Sequence, residues 1–177
     1  VVQENIFTHP KSVWSEHRAV LKQDPRHSAI LRMWAFDRLS PHLNTPDNRL
    51  LIANRDIRAI GYLNAVRSKL ISEGRILEVV GGSRSEILTH HFDLRRLPKG
   101  LLALPNYLER TRDEIGWDDR VTLVRTLLNA VAELHAKRVA HRDIGLRNIW
   151  VESTTRLAIG GFSSASLPDD PLPQYWL

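Results

Sequence analysis

A chain of 177 residues with 42% hydrophobic content is long enough for one domain with a substantial core and too short for two of ordinary size. The absence of cysteine excludes disulfides and thiolate metal sites, and His90 and His91 alone make a poor metal site. Twenty-five basic residues against 20 acidic give a net charge of +5, but the basic residues are spread along the chain and not gathered into a lysine-rich tail, so nucleic acid is not the expected partner.

The longest apolar stretches, such as residues 121–134, are broken by charges, so neither a membrane span nor a signal peptide is expected and the reading is cytoplasmic, with no membrane partner. Val1 in place of Met, and an end at Leu177 without a terminal signal, make the remainder of a longer polypeptide the expected partner, with a separate protein partner also open.

Residues 13–20 and 28–36 are apolar and aromatic runs separated by the polar segment Lys22-Gln23-Asp24-Pro25-Arg26, which predicts a hairpin. A loop with two prolines follows. Asp47 is then placed to cap a helix whose apolar positions Leu50, Ile52, Ala53, Ile57, Ile60 and Leu63 recur at helical spacing, with Gly74 at its end. Residues 75–80 and 86–92 read as two more strands around a Gly81-Gly82-Ser83 turn.

From Leu101 the pattern becomes helical. Residues 101–112 are amphipathic, and Asp118 is placed to cap a long helix carrying Val121, Val124, Leu127, Leu128, Val131 and Leu134. Ile149 and Val151 read as a strand, as do Leu157 to Ile159, before the Ser- and Pro-rich residues 163–173. Strands first and helices later predict an α+β chain of two lobes.

Between the long helix and the strand at Ile149 lies His141-Arg142-Asp143-Ile144-Gly145-Leu146-Arg147-Asn148, the spacing H-R-D-x-x-x-x-N. This resembles the catalytic loop of protein kinases, in which the aspartate accepts the proton of an attacking hydroxyl and the asparagine reaches magnesium on the nucleotide phosphates. The layout of residues 13–177 is similar to the same family. The resemblance implies a protein kinase-like two-lobe α+β fold: a small antiparallel-sheet N-lobe with one long helix and a hinge near residues 90–94, over residues 1–94, and the first part of a helical C-lobe over residues 95–177. It also implies ATP and magnesium as cofactors, Asp143 as base within a motif that includes Arg142, and Asn148 as metal ligand.

The chain departs from that pattern at several places. Thirteen residues beyond Asn148 the metal-binding aspartate of the D-F-G triplet is Gly161, although Phe162 and Ala165 keep their places. The nucleotide-binding lysine is matched by Arg32, with Lys22 a second candidate, and its helix glutamate by Asp56, which either pairs with Arg32 or lies on a charged surface. Residues 1–13 hold no glycine to let backbone amides approach a triphosphate. Gly145 stands where serine/threonine kinases carry lysine, and Arg147 is available to steer a phosphate.

By the same resemblance His141 packs near Phe162 as a structural residue, and Ser163, Ser164 and Ser166 fall in the activation segment. The altered features imply a pseudokinase with a regulatory or scaffolding role. The alternative is an active atypical serine/threonine protein kinase using Asp143; Arg142, in place of the glycine of small-molecule kinases, favours the protein-kinase branch. Residues 29–36 also resemble kinase-like segments of bacterial multidomain proteins, so a degenerate bacterial domain is expected, with its long helix partly uncovered where further helices would lie.

Overall fold

The computed structural model describes residues 2–8, 13–20, 28–42, 44–82 and 91–168. It is an α+β structure with antiparallel sheets, and it divides into two compact units, Val1–Arg58 with Glu78–Lys99, and Ala59–Leu77 with Gly100–Leu177.

The first unit is a five-stranded antiparallel sheet of β1 (Val2–Thr8), β2 (Trp14–Val20), β3 (Ser28–Trp34), β4 (Val79–Gly82) and β5 (His91–Arg96), in the order β1-β2-β3-β5-β4. The expected hairpin forms, with β2 and β3 in register from Trp14↔Trp34 to Val20↔Ser28. β1 was not expected, because Val2-Gln3-Glu4-Asn5-Ile6-Phe7-Thr8 lacks period-two alternation; as an edge strand it has only one neighbour to satisfy.

The strand predicted over residues 75–80 begins only at Val79 and takes in both Gly81 and Gly82 instead of turning there. A Cβ on Gly82 would lie 2.9 Å from Ile57 Cδ1, so this glycine serves close helix–strand approach, not a turn. The predicted strand at residues 86–90 lies outside the described residues. Residues 91–94, expected as a hinge, are strand paired with β3.

The single long helix is replaced by α1 (Pro46–Ala53) and α2 (Arg55–Ala65), interrupted at Asn54 (φ −94°, ψ 9°), followed by the short α3 (Lys69–Ser72). Asp47 is not the cap. Pro46 takes the first helical position, where its missing N–H costs nothing, so Thr45 becomes the cap and its hydroxyl accepts from Asn48 N at 3.3 Å. Gly74, at φ +64°, closes α3.

The second unit contains the rest of α2, α3, β6 (Leu102–Ala103), α4 (Leu104–Arg110), α5 (Trp117–Ala136), β7 (Ile149–Ser153) and β8 (Arg156–Ile159), with a three-stranded sheet in the order β6-β7-β8. The helix predicted from Leu101 starts at Leu104 because residues 102 and 103 pair with β7 and Pro105 sets the first turn. Gly116, not Asp118, caps α5: its N–H donates to the Asp119 carboxylate at 3.1 Å, and Asp118 sits within the first turn.

α5 buries Leu123, Ala130 and Leu134 against Ala59, Leu63, Leu70, Tyr107, Val139, Ile149, Val151, Leu157, Ile159 and Phe162. Val121, Val124 and Leu128, expected on the buried face, point outward. Among the described residues no helix is long and apolar enough to cross a membrane.

Candidate functional site

The predicted catalytic loop begins where α5 ends. Arg138, at φ +58°, reverses the chain so that Val139 N donates to Leu134 O at 2.9 Å, and exposed Arg142 sits at φ +64°, a left-handed backbone that costs a non-glycine residue about 1 kcal/mol or more. His141 is buried and holds the loop from inside: its Nε2 lies 2.9 Å from Gly160 O, while Asp143 N donates to Nδ1 at 3.2 Å. A carbonyl on one side and an N–H on the other fix the neutral tautomer with hydrogen on Nε2. The ring packs 4.6 Å from Phe162, the structural placement expected for it.

The turn Leu146–Asn148 then carries Asn148 back under Asp143. Asn148 Nδ2 donates to Asp143 O at 2.8 Å and to Asp143 Oδ2 at 2.9 Å. Arg147 Nη2 reaches both carboxylate oxygens, at 2.8 Å and 2.7 Å. Two acceptors facing one amide settle its orientation, since only the NH2 end can donate. Asn148 Oδ1 therefore points the other way, buried and without a hydrogen-bond partner among the described residues. There it meets Gly161, whose backbone is at φ +74°: a Cβ on residue 161 would overlap Oδ1 and lie 2.6 Å from the amide Cγ. Asp143, Arg147 and Asn148 are thus brought together, with Gly161 required by the position of Asn148.

In the first unit, three adjacent strands place Glu16, Arg32 and Asp93 side by side, through the pairs Glu16↔Arg32 and Arg32↔Asp93. Arg32 is fully enclosed. It donates to Glu16 at 2.8 Å, reaches Asp56 on α2 at 3.5 Å, and lies 4.4 Å from the centroid of the Trp14 ring. Of the two possibilities for Asp56, it is the ion pair and not surface exposure that forms. Arg95 shares Glu16 through a short contact, and its Nε is 3.1 Å from Asp93 Oδ1, without the alignment of a hydrogen bond.

Burial opposes ionisation of Glu16, but the Arg95 and Arg32 guanidiniums outweigh it and hold the pKa down at about 2. Burial pushes Asp93 up to about 6; Arg95 counteracts this, and the neighbouring charge of Asp56 reinforces it. Burial also works against the Arg95 cation, yet Glu16 and Asp93 raise its pKa above the ordinary value.

Sequence reasoning found Arg32 and Asp56 but missed Glu16, Asp93 and Arg95. The signal was available in His91-Phe92-Asp93-Leu94-Arg95-Arg96, an alternation of inverted polarity: Asp93 and Arg95 face inward, while Phe92 and Arg96 face out. Three carboxylates against two guanidiniums, all enclosed, make a charge cluster satisfied largely from within, not a free positive charge awaiting phosphate.

The magnesium implied by the family resemblance does not fit the residues that the catalytic loop provides. Gly161 has no ligand atom, Asn148 Oδ1 is sealed against Gly161, and Asp143 is already paired with Arg147. Among the described residues no group of three His, Cys, Asp or Glu side chains converges to hold a metal.

Comparison with known proteins agrees with this architecture. The family model for protein tyrosine and serine/threonine kinase matches residues 94–170. The chain is 26% identical over 139 residues to a serine/threonine-protein kinase of Suid herpesvirus 1 (strain Kaplan), covering 73% of this chain and 41% of that protein. It is 33% identical over 69 residues to serine/threonine-protein kinase US3 of Human herpesvirus 1 (strain 17), covering 39% of this chain and 14% of that protein. It is 36% identical over 55 residues to RasGEF domain-containing serine/threonine-protein kinase X of Dictyostelium discoideum, covering 31% and 6%.

An antiparallel-sheet unit, a helical unit and an H-R-D-x-x-x-x-N loop in its expected place define a kinase-like build. The chain is similar to the protein kinase-like superfamily through the family match over residues 94–170 and through these kinase relatives. It spans well under half the length of these relatives, which are viral and eukaryotic, not bacterial as expected.

Proposed function

We propose that this domain is a pseudokinase, with a regulatory or scaffolding role inside a larger cytoplasmic polypeptide. The observation that carries the reading is Gly161: where phosphoryl transfer needs a carboxylate to hold the cation that neutralises phosphate charge, this chain has no side chain, and the amide of Asn148 is packed against the position. Arg32 supports the same reading, because its guanidinium is enclosed by Glu16, Asp56 and Trp14 instead of standing open for a nucleotide. Nucleotide binding, if retained, then serves as a ligand signal and not as the first step of catalysis.

A second reading, an active atypical serine/threonine protein kinase transferring the γ-phosphate of ATP, draws on one observation. Asp143 keeps the position of the base and is held by a hydrogen bond from Asn148. Titration of the chain with ATP in magnesium, in manganese and in chelator, beside a radiolabelled phosphotransfer assay, separates the two. The pseudokinase reading expects no transfer above an Asp143→Asn control; transfer abolished by that substitution establishes the enzyme.

A further inference from the structure

We infer that Arg147 supplies, as a built-in cation, the positive charge that a divalent metal would bring to Asp143, and that Asn148 is a structural plug against Gly161 instead of a metal ligand. This deepens the pseudokinase reading and rests on the kinase-like assignment of the loop. A carboxylate has about four lone-pair sites, and three are already filled: one from Arg147 at Oδ1, and one each from Arg147 and Asn148 at Oδ2. The guanidinium keeps its charge, so the ion pair of Arg147 with the Asp143 carboxylate offers a dication no net negative charge.

Asn148 contributes to the same closure from below. Both acceptors offered by Asp143 face its NH2, so its one metal-binding atom, Oδ1, is turned towards the Gly161 backbone, where no water-sized group reaches it. For Oδ1 to ligate a metal, two hydrogen bonds would break and the amide would swing away from a buried position. For residue 161 to supply a ligand, its first side-chain atom would need the space that this amide fills. The loss of the carboxylate at 161 and the seating of Asn148 are two halves of one arrangement, and Arg147 completes its charge.

Manganese titration of the chain, followed by electron paramagnetic resonance with thermal unfolding in parallel, tests this directly. Wild type is expected to show no saturable Mn2+ binding and no metal-dependent shift in Tm. Arg147→Ala, a change at a partly exposed side chain, bares Asp143 and is expected to raise Mn2+ affinity at least several-fold, while Arg147→Lys keeps the charge and behaves as wild type. Saturable binding to wild type that Asn148→Ala abolishes overturns the inference, as does an Arg147→Ala protein with no gain; the wild-type titration alone decides the first point should a variant fail to fold. ATP binding measured in chelator separates this from the broader reading: strict dependence on Mg2+ sinks the built-in cation but leaves the kinase-like reading standing. ATP that never binds, with Mn2+ behaving as expected, sinks the nucleotide part alone.

Discussion

Gly161 and Asn148 occupy space that only a glycine and an inward-turned amide can share. Gly161→Ala therefore meets two penalties, a left-handed backbone at φ +74° and overlap with Asn148, and is expected to cost about 2–4 kcal/mol in urea unfolding. Asn148→Ala, which removes two hydrogen bonds to Asp143, is expected to cost about 2 kcal/mol. In the double variant the overlap no longer exists, so the combined cost falls short of the sum by about 1 kcal/mol or more; strict additivity would show that the two residues do not compete for space. That Asp143, Asn148 and Gly161 lie together was legible from spacing, because that loop is a local motif. The direction in which Asn148 turns was not, since it depends on which acceptors Asp143 and Arg147 present once folded. Glu16, Asp93 and Arg95 were missed for a related reason: charged residues on a strand read as its solvent face until the pairing strand brings their counter-ions.

Along α5 the apolar residues form two stripes, and periodicity alone does not say which is buried. Leu134 is fully enclosed while Leu128 is 61% exposed, although both belong to the helical series read from the sequence. Leu134→Ala is expected to cost about 2–5 kcal/mol through the cavity it leaves, and Leu128→Ala less than about 0.5 kcal/mol; equal losses by chemical denaturation would mean that the outer stripe is also covered. Trp117, Val121, Val124 and Leu128 make up that outer stripe, and Leu108, Leu123, Val124 and Leu127 line an apolar cavity of about 570 Å3 between α4 and α5, away from Asp143. The sequence did place α5 and the β2–β3 hairpin, whose periods are long or clean, whereas both helix caps were misplaced by two residues. At α1 the choice is testable by thermal unfolding: Thr45→Ala is expected to cost about 1 kcal/mol, and Asp47→Ala, which removes only a favourable charge in the first turn, about half that.

For the whole molecule, the cluster of Glu16, Arg32, Asp56, Asp93 and Arg95 ties stability to pH in two opposing ways. Glu16 has a folded pKa of about 2 against an ordinary 4.5, so its ion pairs stabilise the fold above pH 4.5, by about 3 kcal/mol, and that contribution is lost as pH falls towards 2. Asp93 works in the other direction: with a folded pKa of about 6 against 3.8, the native state binds a proton more tightly than the unfolded chain. Stability from this group is full below about pH 4 and declines as pH rises through 6, again by about 3 kcal/mol. The contribution of these two groups together is greatest between about pH 4 and 5. Because the wild-type profile sums over every titratable group, it does not isolate Asp93, but comparison with Asp93→Asn does. The neutral amide removes the third carboxylate from a cluster with two guanidiniums, so urea midpoints from pH 4 to 7 are expected to lose the decline that wild type shows, and the variant gains most, relative to wild type, at pH 7. Parallel profiles for the two proteins would show instead that Asp93 stays ionised throughout that range, its excess charge absorbed by the surrounding arginines.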